Sequence, residues 1–241
     1  MYDILQWMYK KGYEFLIEEL GLFPKIRYNK LVERLNRYEE PLFEIQRVFL
    51  NKNCLLFIDT IPIETKELVR KSRHEKSGKS MLIKKDGTVG FNASKKRYYF
   101  EYKATYITNG LYLMLIFVNP ANQHDLDILK ENFRWFIREF MNCSVIGDKG
   151  YIDKGFENLL RNGKVYFEAI KRKNMIKSFI ERTKYKILNK LRKSIETNFS
   201  KLVAMFPKHI RAVSKKGLSV KLLLFTIAYN LKVLDEVNSI K

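Results

Sequence analysis

The chain has 241 residues, 46% hydrophobic and 14% aromatic, which is enough for one sizeable core and too apolar for a disordered chain. A formal charge of +20 and a pI near 9.8 set it apart from enzymes of small neutral substrates and call for a polyanionic partner, nucleic acid ahead of an anionic membrane surface. Two cysteines, Cys54 and Cys143, make no disulfide or zinc framework and fit a reducing cytoplasm, and the longest apolar runs, 111–118 and 222–227, are too short to span a bilayer.

Residues 1–50 have the pattern of a helical lead-in. Ile4, Trp7, Met8, Phe15, Leu16 and Leu20 recur at helical spacing, Gly21 and Pro24 interrupt, and a second helix follows through Leu31, Leu35 and Leu42. Lys25, Arg27, Lys30, Arg34 and Arg37 along it can touch DNA phosphates, although isolated basic residues on a helix more often form a solvated face. The second unit, 51–241, opens with Cys54-Leu55-Leu56-Phe57-Ile58-Asp59-Thr60, an unbroken apolar run expected as a strand buried on both faces and closed by Pro62. Asp59 then stands at the strand's rim. A lone carboxylate there is commonly a turn former, but it is also a usual way to hold a hard cation such as Mg2+.

Residues 66–85, with Arg73 in their midst, have the composition of an exposed basic loop. Residues 97–108 are dense in aromatic and β-branched side chains, Asn109-Gly110 is a strong hairpin signal, and 111–118 answer as the partner strand. With the Asp59 strand these make a three-strand meander. Asn119-Pro120 breaks the sheet, and His124-Asp125 precedes one helix expected through Leu126, Leu129, Phe133, Phe136, Ile137 and Phe140. Capping that helix is the favoured role for His124 and Asp125 over a metal pair.

Residues 144–151 repeat the opening pattern, a short apolar strand ending in a carboxylate, Asp148, where Gly147 and Gly150 permit close backbone approach. A helix over 153–160 and a strand over 164–170 follow, so the expected class is α/β, with a mixed sheet whose later strands alternate with helices. From 161 to 193 there are twelve Lys or Arg against two acidic residues, Glu168 and Glu181. A long helix over 178–205, ended by Pro207, carries Arg192 and Glu196 one turn apart, Glu196 sharing a stripe with Phe199 and Val203. That acid is either an ion-pair partner of Arg192 or a metal ligand. An apolar helix over 219–233 closes the chain.

Two strand-end aspartates and one late glutamate can meet in space, and three carboxylates can hold two divalent cations, Mg2+ or Mn2+, for in-line phosphodiester displacement. The motifs Phe57-Ile58-Asp59-Thr60, Gly147-Asp148-Lys149-Gly150-Tyr151, Arg192-Lys193-Ser194-Ile195-Glu196 and Ala228-Tyr229-Asn230-Leu231, in this order, resemble those of prokaryotic insertion-sequence transposases of the DDE class. The resemblance implies an RNase H-like catalytic domain, a metal-binding and catalytic triad of Asp59, Asp148 and Glu196, and Arg192 as a helper on DNA or on a carboxylate. It also implies double-stranded DNA as partner, a homo-oligomer working on DNA, and a place in the cytoplasm at the nucleoid, with no membrane. Lys149, Lys186, Lys190 and Lys193, with Arg73, are the expected DNA contacts. Related families carry a Tyr three residues before the Arg and a Lys seven after the Glu; here Asn189 and Val203 hold those places, and Lys193 or Lys201 is expected to take over the contacts to the terminal phosphate. They also begin with a longer helical region, so 1–50 is expected to be a shortened DNA-binding segment. A catalytically silent DNA-binding remnant and a metal-dependent nuclease of the same fold are the competing expectations.

Overall fold

A computed structural model describes residues 28–50, 55–66, 88–92, 97–171, 175, 178–206, 210, 212 and 214–239. The first lead-in helix, the basic loop with Arg73, Lys25, Arg27, Cys54 and Pro207 lie outside the described residues. The elements in order are α1 (Tyr28–Arg37), α2 (Glu39–Phe49), β1 (Leu55–Lys66), β2 (Thr88–Asn92), β3 (Arg97–Thr108), β4 (Leu113–Pro120), α3 (Asp125–Glu131) and α4 (Phe133–Phe140). Then come β5 (Ser144–Gly147), a 3-10 turn (Lys149–Tyr151), α5 (Lys154–Asn162), β6 (Tyr166–Ala169), α6 (Phe179–Met205) and α7 (Lys215–Asn238).

The strands form one mixed sheet ordered β2-β3-β1-β5-β6, with β4 beside β2 on the outer edge of β3. β1 runs antiparallel to β3 and parallel to β5, and β5 runs parallel to β6. The expected meander is therefore present as β1, β3 and β4, with β2 as an additional short strand that sequence patterning missed.

β1 is longer than expected. Its pairing with β5 stops at Ile58 opposite Gly147, but its pairing with β3 continues to Lys66. Pro62 does not end the strand, because beyond Ile58 β1 has β3 on one side only among the described pairings, and proline is tolerated along such an edge. Alternation sorts the buried side chains of β1 onto two faces. Phe57, Ile61 and Ile63 join the core beneath α6 and α7, whereas Leu56 and Ile58 join the core beneath α3, α4 and α5. A strand covered on both faces explains the unbroken apolar run.

Other boundaries moved for local reasons. The expected single helix after β4 is two, α3 and α4, parted at Asn132, whose Nδ2 donates to the Ile128 carbonyl. The hairpin between β3 and β4 is a four-residue loop in which Asn109 Oδ1 accepts from the Leu111 and Tyr112 N–H groups, and Gly110 takes φ +89°. α7 begins at Lys215, four residues before the expected start, with the Ser214 side chain capping Gly217 N–H. It is long and apolar enough by length and composition to cross a membrane, yet 67% of that stretch is buried, and it packs on α2, β4 and α6 as a core helix.

α2 and α7 close the free edge of β4 with two amide side chains. Gln46 Nε2 donates to the Leu115 carbonyl at 2.7 Å while its Oε1 accepts from Leu115 N–H at 2.9 Å. Asn230 treats Leu113 the same way, at 2.8 and 2.9 Å. Each primary amide carries the donor and the acceptor of a peptide group, so the pair imitates a neighbouring strand for backbone that helices would otherwise bury unpaired. Both side chains are fully buried. Asn230→Leu leaves the Leu113 N–H and C=O without these partners, and we expect a loss of stability of about 1–3 kcal/mol per orphaned group by denaturant unfolding, with Gln46→Leu behaving alike.

Candidate active site

The site forms where β1 and β5 part. Their parallel register ends at Ile58 and Gly147, and the residue that follows each of these is an aspartate, Asp59 within β1 and Asp148 just past the end of β5. From there β1 continues along β3, whereas the chain after β5 turns into the 3-10 turn. Asp59 lies in register with Tyr106 of β3, on the face that packs against α6 and α7.

One oxygen of each carboxylate is committed to nearby backbone. Asp59 Oδ1 accepts from Thr60 N–H at 2.8 Å, and Asp148 Oδ1 accepts from Gly150 N–H at 2.6 Å. The glycines make the second arrangement possible. A Cβ at position 150 would stand 2.9 Å from Asp148 Oδ1, and one at 147 would stand 2.9 Å from the Phe167 ring and 3.0 Å from Tyr151.

α6 brings the other two residues. Its start is fixed by a capping box between Ser178 and Glu181, and its apolar stripe of Leu188, Ile195, Phe199 and Leu202 seats it on the sheet. Arg192 and Glu196 flank that stripe. Arg192 Nη2 lies 3.6 Å from Asp148 Oδ2, and its Nε lies 3.3 Å from Glu196 Oε1. Both expected roles of Glu196 therefore meet in one place: it is paired with Arg192, and that arginine also faces Asp148. Among the described residues no three His, Cys, Asp or Glu side chains form a ready cation cage, since the guanidinium stands between Asp148 and Glu196.

Electrostatics single out Asp59. Burial pushes its carboxyl up to about 7; the Thr60 N–H and Arg192 pull down, and Asp148 and Asp125 push up. A desolvated carboxylate beside a second one is short of positive charge, and oxygen donors of this kind suit a hard divalent cation. Asp59 and Asp148 are oxygen donors of the kind such an ion takes, whereas Glu196 stands across the arginine.

The remaining expected site residues fall into two groups. Lys186, Lys190 and Lys193 are exposed and lie at i, i+4 and i+7, so they form one stripe along α6 on the side away from its apolar seat, and Lys149 is exposed next to Asp148. Arg73 lies outside the described residues. His124 occupies the N-cap position of α3 without a side-chain capping bond, and Asp125 is held by Lys103 Nζ at 2.6 Å, a pairing that sequence patterning did not suggest. Asn189 donates to the Tyr185 carbonyl one turn back in α6, and Val203 is partly exposed. Also missed was the hydroxyl line Thr105-Thr60-Tyr151 on the opposite face of β1, at 3.4 and 3.2 Å.

A protein-family model described as a transposase DDE domain matches residues 50–231. An uncharacterized IS-like element protein of Methanocaldococcus jannaschii is 71% identical over 31 residues, which make up 13% of this chain and 53% of that protein. The chain thus spans about half the length of that curated relative. No solved structure matches.

The raised Asp59 carboxyl has a consequence for stability. Its folded value of about 7 exceeds the usual 3.8, so the protonated form stabilises the fold; that contribution is complete below about pH 4 and is lost as pH rises through about 7. Asp59→Asn, neutral throughout, is expected to gain stability relative to the parent between about pH 4 and about pH 8 in EDTA, measured by denaturant unfolding. A difference that stays constant over that window means the carboxyl titrates normally.

Proposed function

The chain belongs to the family of transposase DDE domains, and from that premise we propose that it is an insertion-sequence transposase whose RNase H-like domain cuts DNA and transfers 3′ ends. The observation that carries the reading is the juxtaposition of Asp59 and Asp148 at the parting of β1 and β5, with Arg192 and Glu196 of α6 set over them. The sheet order, an antiparallel meander continued by two parallel strands through helical connections, agrees with the proposed fold.

In this reading Asp59, Asp148 and Glu196 hold the divalent ions, two of Mg2+ or Mn2+. Bound ions of this kind supply the charge that activates a water or a 3′ hydroxyl and steadies the leaving oxygen of an in-line displacement. The chain's own residues do the rest. The Thr60 and Gly150 N–H groups each fix one oxygen of an aspartate and leave the other to turn toward the site. Arg192 neutralises Asp148 and Glu196 in the free protein and has a phosphate of the incoming duplex as an alternative partner, since a guanidinium suits both oxyanions.

The lysine stripe of α6 then lies along the backbone of the duplex, positioning it without reading bases. One carboxylate site acts on one DNA end, so two ends require two chains, and the working form is a homo-oligomer assembled on DNA. Action on chromosomal DNA places it at the nucleoid of a prokaryotic cell.

Asp59→Asn, Asp148→Asn and Glu196→Gln should each abolish Mg2+-dependent cleavage of labelled duplexes carrying the flanking inverted repeats, while duplex binding persists in gel shifts. Full cleavage by any one variant removes that residue from the triad. Replacing Lys186, Lys190 and Lys193 together by Gln should reduce the slope of log affinity against log salt by about 2.7, about 0.9 for each phosphate no longer neutralised. An unchanged slope places the duplex on another surface.

A further inference from the structure

Backbone pairing does not hold the two aspartates side by side. The parallel ladder stops one residue short of them, and past that point β1 follows β3 while the chain after β5 curls away. A spacing that two carboxylates must keep to share a cation is therefore set by side chains.

Among the described residues, a hydrogen bond between Tyr151 and Thr60 crosses the gap. The Tyr151 phenol oxygen lies 3.2 Å from Thr60 Oγ1, and Thr60 Oγ1 lies 3.4 Å from Thr105 Oγ1 on the neighbouring strand. Either atom can donate in each pair. The ring is buried, 1% exposed, and meets Phe167 edge-on at 6.1 Å. It fits beneath the strand end because position 147 is glycine: a Cβ there would stand 3.0 Å from the Tyr151 Cβ. Tyr151 closes the same short turn that Asp148 opens, its N–H donating to the Asp148 carbonyl at 3.1 Å. Thr60 follows Asp59 and donates its N–H to that carboxylate. The phenol thus ties the residue beside one aspartate to the turn built on the other, from the face of the sheet opposite the Asp59 carboxylate.

We propose that Tyr151, acting through the Thr60 hydroxyl, is a positioning residue that sets the separation of Asp59 and Asp148 and thereby the cation affinity of the site. This rests on the reading of the two aspartates as cation ligands. Outer partners that orient ligands typically contribute about 10- to 100-fold to metal affinity. The tie is a neutral hydrogen bond in a packed setting, so its effect belongs at the lower end.

The test is Mn2+ binding to the full chain, followed by electron paramagnetic resonance, alongside duplex affinity by gel shift. Tyr151→Phe and Thr60→Val should each weaken Mn2+ binding about tenfold and leave duplex affinity within about twofold. The double variant should be no weaker than either single one, because both remove the same bond. Thr60→Ser keeps the hydroxyl and should bind Mn2+ like the parent, which separates the hydroxyl from packing even if Tyr151→Phe folds poorly. Parent-like Mn2+ affinity in Thr60→Val, or additive losses in the double variant, overturns the tie. Asp59→Asn reports on the underlying reading: if it binds Mn2+ as the parent does, the aspartates are not the ligands, and the proposal falls for that separate reason.

Discussion

The sheet hangs on β1, and β1 has a neighbour on each side only as far as Ile58. At Phe57 and Ile58 its side chains are buried on both faces and its backbone is paired on both edges. Immediately beyond, one edge opens while the other stays paired. A carboxylate at this step has a fixed backbone behind it and a free side in front of it. That combination gives a ligand a defined position without enclosing it. In sheets containing parallel strands, crevices outside the carboxyl ends of the strands are where ligands are bound, and Asp59 and Asp148 stand at such a place.

Charge follows from the same geometry. The chain carries +20 overall, and among the described residues the cation paired with Asp148 is Arg192, which Glu196 shares. The other acidic residues near the start of α6 are neutralised elsewhere: Glu168 by Lys184 and Glu181 by Lys171. Lys186, Lys190 and Lys193, outside these pairs, are exposed to solvent along one stripe. The helix thus presents two electrostatic surfaces, an inward one on which arginine meets carboxylates and an outward one suited to a polyanion. Both are turned by the one apolar stripe that seats α6 on the sheet.

Elements defined by a local signal were legible in the sequence. β5 and its Asp148 turn, α5, β6 and α6 all stand close to the expected 144–151, 153–160, 164–170 and 178–205. What escaped depends on partners distant in sequence. The extension of β1 through Pro62 exists because β3 continues beside it, and nothing within residues 55–66 signals that. The break at Asn132 lies inside a pattern whose apolar spacing is continuous with one helix. For the candidate site, the three carboxylates and Arg192 could be named from spacing and motif order. The placement of the guanidinium between Asp148 and Glu196 could not, because that depends on how α6 is seated over the sheet.

Asn230 shows how a motif divides between chemistry and frame. It belongs to a run, Ala228-Tyr229-Asn230-Leu231, that accompanies the carboxylate motifs, and a polar residue in so apolar a helix invites a catalytic reading. In the structure its side chain serves the frame: its amide closes the edge of β4 at Leu113, while Gln46 does so at Leu115. β4 is hydrogen-bonded to β3, and β3 carries Thr105, the last hydroxyl of the line that reaches Tyr151. An unclosed edge would leave buried peptide groups unsatisfied on the strand that supports this line. The residue types that accompany the carboxylates in sequence thus act at different depths, some facing the site and others holding in register the strand behind it, and only the first kind is expected to tolerate no chemical substitute.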